Sequence, residues 1–136
     1  MSYAVWYWYH KSVPYEHFKI FPYQARSPVN NQTREYKSQD DIWEDIEALV
    51  FEDPSHIGIN LFHLVPMFSN PANIVDLWMV NMINDYNLVK RFNIPLKGDL
   101  DSVDAHIMDC FIIIENEMTS IENYEREKAM KDGGRK

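Results

Sequence analysis

The chain has 136 residues, 46% of them hydrophobic and 25% charged, with a formal net charge of −8. That size and apolar content suit one domain with its own core and exclude wholesale disorder. The single cysteine, Cys110, excludes an internal disulfide and suits a reducing compartment.

No secretory leader pattern opens the chain, and no stretch carries the ~20 consecutive apolar residues of a membrane span. The expectation is a soluble, cytoplasmic protein with no membrane partner. Asn, Ile, Tyr and Lys are frequent; their codons are AT-rich, which fits genomes such as those of many bacteriophages. The charge is unevenly spread. Residues 1–37 carry five basic and two acidic groups, whereas 38–55 carry seven acidic groups and no Lys or Arg. A basic aromatic front is therefore followed by an acidic segment.

In chain order, the alternation in AVWYWYH predicts a strand over 3–10, with Tyr3, Val5, Tyr7 and Tyr9 on one face and Ala4, Trp6, Trp8 and His10 on the other. His17 to Tyr23 reads as a second strand, the two forming an N-terminal hairpin or meander. Pro28, Asn30 and Asn31 mark a turn, and 33–37 a short third strand. Ser38 with Asp41 resembles a capping box and predicts a helix over 39–51, with Ile42, Trp43, Ile46, Leu49 and Val50 as its apolar stripe.

Ile57, Ile59 and Leu61 alternate with Phe62 and Leu64, predicting a strand over 56–65 closed by Pro66. Asn70-Pro71 suits a helix start, so a helix is expected over 71–91. It is apolar on more than one face, which would serve a homodimer as well as a core. Residues 93–98 form a linker, and a last helix runs from about 102 to 130 with Val103, Ile107, Ile114, Met118 and Ile121 in register. The whole reads as one α+β domain over 1–131, a small antiparallel sheet packed on two or three helices with a mainly helical C-terminal half, and a tail at 132–136.

Five histidines invite a metal reading, yet none of the compact ligand spacings is present. Cys110 lies on an apolar helical stripe, where a thiol is inert packing. No phosphate-cradling glycine motif occurs. No catalytic group, metal or cofactor is assigned. The carboxylate pairs Glu44/Glu47 and Asp101/Asp104 leave a metal-dependent nucleotide hydrolase as an alternative. Lys11, Lys19, Arg26 and Arg34 among the aromatic residues leave a single-stranded nucleic-acid binder as a second.

The leading expectation is a small acidic, non-enzymatic protein-binding module: an adaptor, assembly chaperone or inhibitor. Its tools would be the tyrosine face Tyr3, Tyr7 and Tyr9 and the acidic helix carrying Asp40, Asp41, Glu44, Asp45 and Glu47. Its partner would be a protein with a basic surface.

Overall fold

A computed structural model describes residues 1–10, 20–96 and 103–134. The architecture is α+β, with a two-stranded antiparallel sheet and, among the described residues, five α-helices rather than two or three. The order is α1 (Ser2–His10), β1 (Tyr23–Arg26), β2 (Thr33–Tyr36), α2 (Gln39–Glu52), α3 (Ile57–Phe68), α4 (Leu77–Phe92) and α5 (Ala105–Gly133). Short 3-10 turns, Pro54–His56 and Pro71–Asn73, precede α3 and α4.

The first stretch corrects the expectation of a strand over 3–10: it is helical. Its aromatic residues meet at helical spacing, with Tyr3 and Tyr7 stacked at 6.2 Å and Trp6 and His10 at 5.7 Å. The helix is the wall between two cores. Tyr3 joins Tyr36, Ile42, Leu61, Val65 and Phe68 on one side. Ala4, Val5 and Trp6 join Met79, Ile83, Ile114 and Ile121 on the other. A short segment that is apolar all round shows no period, so periodicity cannot separate a buried helix from a strand.

The expected strand over 56–65 is also helical, as α3. Gly58, Leu61, Val65 and Phe68 are buried at steps of three and four, which decides for the helix over the Ile57–Ile59–Leu61 alternation. Pro66 sits in its last turn, where only one intrahelical bond is forgone. In the expected second strand, residues 17–19 lie outside the described residues and pairing starts only at Tyr23. The strands at 23–26 and 33–36 form a hairpin with Tyr23 opposite Tyr36 and Ala25 opposite Arg34.

The helix foreseen over 71–91 begins later. Asn70 caps a 3-10 turn by accepting from the Ala72 N–H at 3.0 Å, and α4 starts at Leu77. It ends at Asn93, whose φ of 50° is the left-handed conformation that stops helices. α5 opens with Asp104 accepting from the His106 N–H at 2.8 Å and continues through Asp132 and Gly133, residues expected as tail. No helix among the described residues is long and apolar enough to cross a membrane.

Trp6 and Gly58 show how tightly α1, α3 and α5 meet. The Trp6 indole N–H donates to Glu117 Oε2 at 2.7 Å. A Cβ on Gly58 would fall inside both that carboxylate and the indole ring. Gly58→Ala is expected to lower stability by about 2 kcal/mol through overpacking, although helix propensity alone favours Ala by about 1 kcal/mol. Gly133→Ala meets open space and should leave stability unchanged or slightly raised; urea unfolding of both variants checks the opposite signs.

His10 closes the same seam, its ring 4.7 Å from Phe62 and its Nδ1 3.7 Å from Glu125. Its Nε2 is buried and has no hydrogen-bond partner among the described residues. Burial lowers its pKa against the pull of Glu125, with Lys128 and His63 adding to the lowering. The unfolded chain thus binds the proton more readily. The stability from neutral His10 is complete above the ordinary histidine value and is lost as pH falls through the depressed folded value. Between pH 7.5 and 5.5 the wild type should lose more stability than His10→Phe, measured by urea midpoint at each pH.

Candidate functional site

The acidic segment forms α2, and the hairpin supplies its counter-charge. The hairpin turn is tied by Ser27 N–H to Gln32 O at 2.8 Å and Asn31 N–H to Ser27 O at 3.0 Å, with Asn31 at a φ of 65°. On β2, Arg34 and Tyr36 are two apart and so share a face. On α2, Asp41, Glu44 and Asp45 lie within one turn. The two sets meet.

Arg34 Nη1 donates to Asp45 Oδ1 at 2.6 Å. Its Nη2 donates to Glu44 Oε2 at 2.6 Å and to Asp41 Oδ1 at 3.2 Å. Asp45 is buried, and its other oxygen accepts from Tyr36 OH at 2.5 Å and Ser27 Oγ at 2.8 Å. The Arg34 guanidinium also lies 5.4 Å from the Tyr36 ring centre. Its bond to Glu44, then Asp45, raises the Arg34 pKa above the ordinary range against the cost of burial. Burial, followed by the bond to Asp45, raises the Tyr36 pKa, so the phenol remains a donor.

Asp41 has a second task. Its Oδ2 accepts the backbone N–H groups of Lys37 at 2.7 Å and Ser38 at 3.1 Å, completing the capping box. Those two bonds, and then Arg34, hold its carboxyl below the usual range. The capping box is thus as the sequence suggests, whereas the Arg34 clamp is a product of tertiary structure. Chemically the clamp is a buttress: Asp45 is buried and three of its about four acceptor sites take bonds from Arg34, Tyr36 and Ser27.

The residues expected to bind a partner divide accordingly. Asp41, Glu44 and Asp45 are gathered on Arg34. Asp40 and Glu47 are exposed and have no ion-pair partner among the described residues. The tyrosine face does not form. Helical geometry buries Tyr3 at 4% exposure, half-buries Tyr7 against the first core and leaves Tyr9 exposed at 40%.

Arg34 of the basic front is occupied, and Arg26 Nε donates to Asn31 O at 2.7 Å. Lys11 and Lys19 lie outside the described residues. Trp6 is buried rather than set on a stacking platform. Glu44 and Glu47 do not converge with further ligands; among the described residues no group of three or more His, Cys, Asp or Glu is placed to hold a metal ion. Asp101 lies outside the described residues.

One residue at this site was missed. Asp40, Glu44, Glu47 and Phe51 follow the spacing i, i+4, i+7, i+11 and form one line on the outer face of α2. Phe51 is 90% exposed. The signal was available, since Phe51 falls off the Ile42–Ile46–Leu49 stripe and onto the acidic face.

Removing the clamp should separate buried from exposed contributions. Arg34→Met leaves the Asp45 charge buried and is expected to cost about 3 kcal/mol. Glu44→Gln, whose side chain is 68% exposed, should cost less than about 1 kcal/mol. Chemical denaturation of both variants measures the difference. In comparisons with protein-family models, curated proteins and solved structures, none matches this chain.

Proposed function

We propose that the protein is a small acidic, non-enzymatic protein-binding module, an adaptor, assembly chaperone or phage-encoded inhibitor, that engages a basic partner surface through the outer line of α2. The observation that carries this reading is the exposed Phe51 at the end of the carboxylate line Asp40, Glu44 and Glu47. An exposed aromatic ring in line with Asp40 and Glu47, which have no ion-pair partner among the described residues, offers both parts of a protein interface. The ring supplies area that desolvates at small entropy cost. The carboxylates steer a basic partner and fix its register.

The clamp supports the same reading by setting what is left over. Arg34 draws Asp41 and Asp45 inward and touches Glu44 from one side. Asp40 and Glu47 keep their charge for solvent or a partner. Recognition then depends on few residues, and their substitution should not disturb the fold.

The test is capture by the tagged full chain from nuclease-treated lysate of its native host. One dominant protein is expected, released at high salt because exposed charges are screened. The triple variant Asp40→Lys, Glu47→Lys, Phe51→Ala should retain its unfolding midpoint and reduce capture about tenfold or more. Undiminished capture by the folded triple variant would overturn the assignment of this line.

A further inference from the structure

Beside the outer line lies a second feature of α2. Where its C-terminal end crosses the start of α3, a groove of about 260 Å³ opens to the surface. Its floor is apolar, made by Leu49, Val50, Ile57 and Leu64, and its rim carries Glu52 and Asp53. The volume is enough for one or two aliphatic side chains and too small for a folded element.

The electrostatics of the rim are unbalanced. A helix C-terminus carries about half a negative charge from its aligned carbonyls, which natural sequences often offset with Lys or Arg. α2 has no basic residue in its last turn and adds Glu52 and Asp53 there. Asp53 is a fixed anion: Ser55 Oγ and N–H and the Asn60 side-chain amide donate to it and hold its carboxyl below the usual range. His56 Nδ1 is 4.0 Å from Asp53 and 2.9 Å from Ser55 Oγ. At the other end of α2 Arg34 neutralises the carboxylates; here no Lys or Arg among the described residues does so.

We infer that this groove is the socket for a cationic amphipathic segment of the partner, one that inserts an aliphatic side chain between α2 and α3 and places Lys or Arg against Glu52 and Asp53. The occupant follows from charge complementarity. An anionic segment would meet two carboxylates and a helix C-terminus, and a neutral one would leave their charge partly desolvated and unpaired. The mode is peptide-in-groove recognition, with the apolar anchor supplying affinity and the rim supplying selectivity. This inference rests on the reading of α2 as the binding edge and assigns the chemistry of what binds there.

The probe is a synthetic peptide of repeating Lys-Lys-Leu-Leu units, titrated into the isotope-labelled full chain, with a Glu-Glu-Leu-Leu counterpart as control. The cationic peptide is expected to shift the amides of Val50, Ile57, Asn60 and Leu64, and the acidic one to leave them unmoved. Glu52→Lys, an exposed change that spares the fold, should weaken binding about fivefold. Leu64→Phe, which fills the groove with apolar bulk, should weaken it about tenfold. Equal affinity for both peptides, or unchanged affinity in both variants, would overturn the socket. Shifts confined to the Asp40–Glu47 line would also overturn it while leaving the proposed binding edge standing. No binding of the cationic peptide, together with undiminished capture by the triple variant, would remove both.

Discussion

Asp45 is a carboxylate buried where α2 meets the hairpin, and it is tolerable there only because three hairpin side chains donate to it. A buried carboxylate without partners would cost several kcal/mol of desolvation. Ser27, Arg34 and Tyr36 therefore have to arrive together, which requires the hairpin register that places Arg34 opposite Ala25. Turn, strand pairing and helix docking are coupled through one side chain. The same contact bears on the surface, because Asp41 and Asp45 turn inward to Arg34 while Glu44 reaches it from the exposed face of α2.

The second constraint is steric. α1 separates two cores, and its indole, the Glu117 carboxylate and the backbone of Gly58 occupy one crossing where a single methyl group has no room. Such packing is intolerant of even small additions. It explains why four consecutive residues of α1, Tyr3 to Trp6, are all buried. Aromatic residues that would look like a recognition patch in isolation here fill space between helices. The side chains that the packing does not need stay exposed, and Phe51 is the largest of these on α2.

Charge and packing thus sort the two ends of α2 into different roles. Its first two turns are pinned by the capping box and by Arg34. Its last turn has unbalanced negative charge next to an apolar groove. A helix that is firmly anchored at one end presents its outer line and its far end without loss of order, which would lower the entropic cost of the proposed binding.

The sequence by itself determined the α+β class, the helix foreseen over 39–51 with its capping box, the short strand foreseen over 33–37 and the long last helix. Each rests on local chemistry: Ser38 and Asp41 cap their own helix, and the Ile114–Ile121 stripe repeats at a helical period. The acidic face of α2 was legible for the same reason. The tertiary structure alone decided that AVWYWYH and all but the first residue of HIGINLFHLV are helical: the first is buried at four consecutive positions, which hides its period, and in the second the buried Gly58, Leu61 and Val65 prevail over the Ile57–Ile59–Leu61 alternation. It alone decided which of Asp40, Asp41, Glu44, Asp45 and Glu47 remain available. Spacing along a helix says which carboxylates are neighbours, but only docking against the hairpin brings Arg34 to three of them. The physical reason is range: caps and periods act over a single turn, whereas the Arg34–Asp45 clamp and the Trp6–Glu117 bond join residues that only the folded chain brings within reach.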